Sequence, residues 1–173
     1  IERDLTATKR LQQELTLMAN TDSLTGLLNR RRFMDCAGAE FARAQRYQRE
    51  LALVMLDIDH FKRINDSRGH LVGDQVIKAM ARSMQALLRA SDWPARWGGE
   101  EFAILMPETP LAGATILAER LRAALAALAV HTADGPLHFT VSAGVAAQTG
   151  NVRQFMALME RGDAALYAAK HGG

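Results

Sequence analysis

At 173 residues and 49% hydrophobic composition, the chain has the length and apolar content of one domain with a substantial core, which argues against disorder. The formal net charge is only +2 and no Lys/Arg block forms a long stripe, so nucleic acid is not an expected partner. Cys36 is the single cysteine, which rules out an internal disulfide and points to a reducing compartment, and no apolar run reaches the length of a membrane span.

In chain order, residues 1–20 are charged and helix-favouring, with Leu11, Leu15 and Met18 at 4/3 spacing, as in a coiled-coil lead-in. The sequence opens without Met in the middle of this helical pattern. It is therefore read as part of a longer protein whose upstream portion is expected to carry a sensory domain or membrane spans. TDSLTGLLNR then interrupts the helix, with Asp22 or Ser23 as a candidate cap and Gly26 as a break. The triple Arg30-Arg31-Arg32 reads as a solvated helix face, and Phe33, Ala37, Phe41 and Ala44 share the opposite one.

LALVMLDID, residues 51–59, is apolar almost throughout and predicts a central strand covered on both faces. HFKRIND leads through Gly69 and Gly73 to a helix expected from Gly73 to Leu88. Short strands at 93–97 and 101–106 flank Gly98-Gly99, which reads as a two-residue hairpin turn at positive φ. Pro107 and Pro110 precede an Ala/Leu-rich helix to about Ala129, residues 138–146 predict another strand, and a closing helix follows. The fold class is α/β (α+β), one layered system of strands and helices.

Asp57 and Asp59, two apart at the end of a buried strand, share a face. If the hairpin pairs beside that strand, Asp57 meets Glu100 or Glu101. Like charges about 5 Å apart repel by roughly 3 kcal/mol at an effective dielectric near 20. One reading is a divalent-cation site, since hard oxygen donors without a His/Cys set suit Mg²⁺ shared with substrate phosphates. The other is that the aspartates cap the helix near Phe61 while the glutamates are ordinary hairpin charges. The neighbourhood favours the first: a helix start at HFK offers backbone N–H groups to phosphate, with Lys62 adding charge. Asn65 and Asp74 follow, and a carboxylate can accept from the N1–H and N2–H₂ groups of guanine.

DSLTGLLNRR (22–31), DIDHFKRIND (57–66), GHLVGD (69–74), RWGGEEF (96–102), FTVSAGVA (139–146) and GDAALYAAK (162–170) together resemble a GGDEF domain, the catalytic domain of bacterial diguanylate cyclases, in its GGEEF variant. The resemblance covers the chain from Asp22 onwards. It implies a fold like the palm of nucleotide cyclases and polymerases, a largely antiparallel central sheet wrapped by helices. Residues 1–20 would be a signalling helix and 21–173 the catalytic domain, working in the cytoplasm.

The implied reaction condenses two GTP into cyclic di-GMP with release of two pyrophosphates, in a homodimer whose subunits each hold one GTP. Carried over by motif, Asp57, the Ile58 carbonyl and Glu100 bind Mg²⁺ (or Mn²⁺) with Glu101 in support, and Asp57, Glu100 and Lys62 are the catalytic set. Phe61, Lys62 and Lys170 contact the phosphates, Asn65 and Asp74 read guanine, His70 is a neighbour of the nucleotide, and Gly99 gives it room. Arg89 and Asp92, five residues ahead of the signature, with Arg120, imply a site where cyclic di-GMP inhibits. Departures are Trp97 where Tyr or Phe is commoner, Trp93-Pro94 in the loop after Asp92, and no Arg soon after Lys170. The alternative is a non-catalytic module that binds GTP or cyclic di-GMP and regulates a partner domain, but such modules typically lose the acids or guanine readers retained here.

Overall fold

The computed structural model describes residues 2–172; Ile1 and Gly173, the outer ends of the expected segments 1–20 and 21–173, lie outside the described residues. The elements run α1 (Glu2–Asn20), α2 (Arg30–Tyr47), β1 (Leu51–Ile58), α3 (Phe61–Arg68), α4 (His70–Leu87), β2 (Trp93–Arg96), β3 (Glu101–Pro107), α5 (Leu111–Ala127), β4 (Val130–Thr132), β5 (Gly135–Leu137), β6 (Val141–Ala147) and α6 (Phe155–His171). Four strands form one sheet in the order β2-β3-β1-β6, and every pairing in it is antiparallel. The expected antiparallel sheet wrapped by helices is the one observed.

β1 is central, and its period-two alternation feeds two cores. Ala52, Val54, Leu56 and Ile58 pack with α3, α4 and α5, whereas Leu51, Leu53 and Met55 pack with α2 and α6. β3 alternates in the same way, Phe102 and Ile104 going to the first core and Ala103 and Leu105 to the second. The predicted apolar face of α2 is buried through Phe33, Ala37, Phe41 and Ala44. β6 and α6 approach so closely at Gly144 that a Cβ there would lie 2.2 Å from the Leu166 backbone nitrogen.

Several local expectations are corrected. Asn29, not Asp22 or Ser23, caps α2, its side chain accepting from the Arg32 N–H. Asp22 instead holds a turn, accepting from the Thr25 N–H and hydroxyl. The helix expected from Gly73 starts at His70, because Gly69 at φ 89° breaks the chain once and the next helix begins at once. The Gly98-Gly99 connection is longer than two residues: Arg96 pairs with Phe102, and the Trp97 and Gly98 N–H groups both donate to the Glu101 carbonyl. Neither glycine has positive φ. The β4–β5 hairpin was not anticipated, although Asp134-Gly135 supplies its turn signal. β6 begins at Val141 rather than at residue 138.

α1 leaves Leu5, Leu11, Leu15, Leu17 and Met18 exposed. No helix among the described residues is long and apolar enough to cross a membrane.

Candidate active site

The site forms where β1 ends. Antiparallel register sets Asp57 opposite Glu101, and the Ile58 N–H donates to the Glu100 carbonyl at 3.2 Å. The strand end therefore collects both signature glutamates, Glu101 facing Asp57 and Glu100 lying beside Ile58. Burial and repulsion from Asp57, Glu100 and Asp163 push the Glu101 carboxyl above its usual range, while Arg30 pulls the other way. Asp163, from α6, is also raised by burial.

Lys170 of α6 answers part of this charge. Its ammonium lies 2.9 Å from Asp57 Oδ1 and 3.3 Å from Asp59 Oδ1. Burial would lower the Lys170 pKa, but its hydrogen bonds and attraction to Asp57 and Asp59 raise it overall. Asp59 is fixed further by the Thr140 and Ser142 hydroxyls, each donating at 2.7 Å. Burial opposes its ionisation, yet the bonds from Ser142, Thr140 and Lys170 and the Lys170 charge hold it below the usual carboxylate range. Thr140 and Ser142 were not singled out in the sequence, where their only mark is alternate placement in FTVSAGVA. Asp59, His60, Thr140, Ser142, Lys170 and His171 border an open groove of about 710 Å³.

The helix-capping alternative for the aspartates fails. The residue preceding α3 is His60, in the left-handed region at φ 54°, and no side chain caps the helix. The first N–H groups of α3 thus remain without a side-chain acceptor, the arrangement that receives a phosphate. Lys62 is exposed beside them. The Phe61 side chain is buried in the core, so its main chain is what it offers a ligand.

Asn65 and Asp74, the residues expected to read guanine, sit on either side of the junction of α3 and α4. Asn65 Oδ1 is buried and has no hydrogen-bond partner. That oxygen seats against Gly73, where a Cβ would sit 1.9 Å from Asn65 Oδ1 and 3.3 Å from the Phe61 ring, so residue 73 must lack a side chain. Asp74 follows on α4, exposed, and His70 is exposed on its first turn. An unpaired buried acceptor costs stability until a donor arrives, and a guanine edge carries such donors.

The oxygen-only donor set suits a hard divalent cation, as does the crowding of Asp57, Glu100, Glu101 and Asp163. Among the described residues no three acidic, histidine or cysteine side chains are already gathered around one point.

The signature turn is anchored from outside the site as well. Arg96 donates to the Gly99 carbonyl at 2.9 Å and forms an ion pair with Asp22 at 3.2 Å, tying the turn to the segment before α2. A Cβ at Gly99 would meet nothing within 4 Å, so the space beside the turn is open. Trp97 packs under Arg30 and against Phe33.

A second constellation lies at the other end of the sheet. Arg89 pairs with Asp92 at 3.1 Å and donates to the Thr109 hydroxyl at 2.6 Å. The Asp92 side chain is 1% exposed and that of Arg89 55%, so a buried carboxylate holds a guanidinium facing solvent. The Asp92 hydrogen bond and charge raise the Arg89 pKa further. Thr109, buried and missed in the sequence, completes this support. Arg120 is exposed on α5, and Pro94 sits in β2, its carbonyl accepting from the Leu28 N–H.

A family profile described as "Diguanylate cyclase, GGDEF domain" matches residues 19–173. The chain is 46% identical over 173 residues to diguanylate cyclase DgcP of Pseudomonas aeruginosa, and 42% over 173 residues to diguanylate cyclase DgcM of Escherichia coli. Both alignments span 100% of this chain but only 26% and 41% of those proteins. Among solved structures, the coiled coil and GGDEF domain of DgcB from Caulobacter crescentus, in complex with c-di-GMP, superimposes with a TM-score of 0.93 at 32% identity, covering 99% of this chain and 91% of that one.

Proposed function

The chain belongs to the GGDEF domain family, and from that premise we propose that it is the catalytic part of a diguanylate cyclase, joining two GTP into cyclic di-GMP and two pyrophosphates. The observation that carries the reading is the β1–β3 register, which gathers Asp57, Glu100 and Glu101 beside the uncapped start of α3.

Asn65 and Asp74 accept from the guanine edge, which orients the nucleotide with its phosphates towards α3. The first N–H groups of α3, from Phe61 onwards, and the Lys62 ammonium hold the phosphates. Asp57, the Ile58 carbonyl and Glu100 would hold Mg²⁺ or Mn²⁺, with Glu101 in support. The bound cation would neutralise phosphate charge and lower the cost of deprotonating the attacking hydroxyl. The Lys170 ammonium, paired with Asp57 and Asp59, would be the cationic side chain available to the triphosphate.

The 3′-hydroxyl of one GTP attacks the α-phosphate of the other, in line with the departing pyrophosphate, and the same step then closes the ring. One chain positions one nucleotide, so two chains face each other about a twofold axis. The exposed apolar residues of α1 are the means of pairing, and the domain works in the cytoplasm. Arg89, with Asp92 behind it and Arg120 nearby, binds the product and inhibits. Arginine grips the O6/N7 edge of guanine with two hydrogen bonds, which suits that ligand.

The test is product chromatography after incubating the dimerised chain with GTP and Mg²⁺. Wild type should yield cyclic di-GMP and Glu100→Ala none. A demonstrably dimeric wild type that binds GTP without turnover would establish the non-catalytic module instead. For the inhibitory site, calorimetry should show cyclic di-GMP binding lost in Arg89→Ala; unchanged affinity would refute it.

A further inference from the structure

Trp97 stands where the signature turn leaves β2, and its indole is held from two sides. The Arg30 guanidinium carbon lies 4.2 Å from the ring centroid, and the buried Phe33 ring meets it edge-on at 5.9 Å. Arg30 and Phe33 are three apart at the start of α2, so one helical face forms the seat. The Trp97 backbone N–H donates to the Glu101 carbonyl at 2.8 Å, which ties the residue carrying the ring to the main chain of a site carboxylate. Arg30 is also the cation that offsets the repulsion on Glu101 and acts on Asp163 across from it. A solvated helix face, the reading given to the arginine run, describes Arg32 but leaves out this contact and the Arg31 bond to the Ala19 carbonyl.

We infer that Arg30 is a positioning residue for the signature turn: stacked on Trp97, it fixes the outer side of the turn so that Glu100 and Glu101 keep their places opposite Ile58 and Asp57 when cation and GTP bind. The inference rests on the reading of that turn as part of the cation and nucleotide site. Arg96 holds the same turn through the Gly99 carbonyl, so the two arginines act on different atoms. The broader indole suits the contact, because a guanidinium stacks best on the largest ring. That gives the Trp at position 97 a role of its own.

The test uses Trp93→Phe as background, which leaves Trp97 the only tryptophan. In that background Arg30→Ala should shift Trp97 emission and change its response to GTP with Mg²⁺. In the otherwise native chain, Arg30→Ala should raise the Mg²⁺ concentration for half-maximal turnover about fivefold, with Arg30→Lys intermediate. Trp97→Phe should behave like Arg30→Lys, and combining Arg30→Ala with Trp97→Phe should cost little more than Arg30→Ala alone. A purely structural role would lower the melting temperature and leave the Mg²⁺ dependence where it was; that result overturns the inference. So do multiplying, independent effects of the two substitutions. If wild type makes no cyclic di-GMP, the proposed reaction falls, whereas the Trp97 emission still decides the case for Arg30.

Discussion

Glu101 and Asp59 sit within one charge cluster and respond to it in opposite ways. The Glu101 carboxyl is raised by burial and by its acidic neighbours, so its ionised form costs the fold stability. Glu101→Gln should therefore raise the melting temperature measured in chelator at neutral pH by about 2 °C, while lowering turnover. Unchanged melting would mean that the repulsion is relaxed by solvent. Asp59 is held below its ordinary value of 3.8, so its contribution to stability is complete above that value and is lost as pH falls through the lower folded one. Asp59→Asn should cost about 1–2 kcal/mol at neutral pH and flatten the acid limb of the stability profile. Denaturant titrations from pH 7 to about pH 2 read both effects. Asn65 gives a third case. Its carbonyl oxygen has no partner to lose, so Asn65→Ala should leave melting nearly unchanged yet raise the KM for GTP about tenfold. A large fall in melting temperature with unaltered KM would make Asn65 a structural residue.

At the scale of elements, the close packing of β6 on α6 is the sharpest constraint. A methyl group at residue 144 would collide with the backbone of Leu166 and with the Gly162 carbonyl, at 2.4 Å, and backbone cannot turn aside as a side chain can. Gly144→Ala should therefore destabilise by about 3 kcal/mol or more, read by denaturant unfolding. The fall should come with lost activity, because α6 carries Lys170 to the aspartates. The long elements were legible from sequence because their patterns are dictated by burial. β1 is apolar at successive positions since both faces are covered, and α2 shows four buried residues at helical spacing. Elements decided by one or two residues were not legible in the same way. Gly69 separates α3 from α4 through its dihedral alone, and the turn after Arg96 gains its length from two N–H groups sharing the Glu101 carbonyl. The site shows the same division. Asp57 and the glutamates could be brought together from strand pairing, whereas Lys170 reaches Asp57 from 113 positions away in the chain, beyond any local pattern. Thr109 and Arg30 likewise depend on long-range packing that no short motif encodes.

For the whole molecule, the chain spans less than half the length of the curated relatives cited here, and α1 is its first described element. The C-terminus of α1 is bonded into the body of the domain: Asn29 Nδ2 donates to the Ala19 carbonyl at 2.8 Å, Arg31 donates to the same atom at 3.0 Å, and the Asn29 N–H donates to the Asn20 carbonyl. Earlier in the helix, Leu11 and Leu15 are each 58% exposed, a cost that pairing with a second helix would remove. Leu11→Glu with Leu15→Glu should leave the melting of the domain intact, shift sedimentation to monomer and make turnover depend steeply on protein concentration. A dimer that persists would move the interface elsewhere. With its ammonium between Asp57 and Asp59, Lys170 supplies the polypeptide's own counter-ion to both carboxylates. If the proposed cation binds here, it competes with a counter-ion the chain already provides, so removing divalent metal should silence the domain without loosening it. A chelated sample should melt cooperatively and regain full turnover on adding Mg²⁺; a collapse of the fold in chelator would show that Lys170 does not suffice.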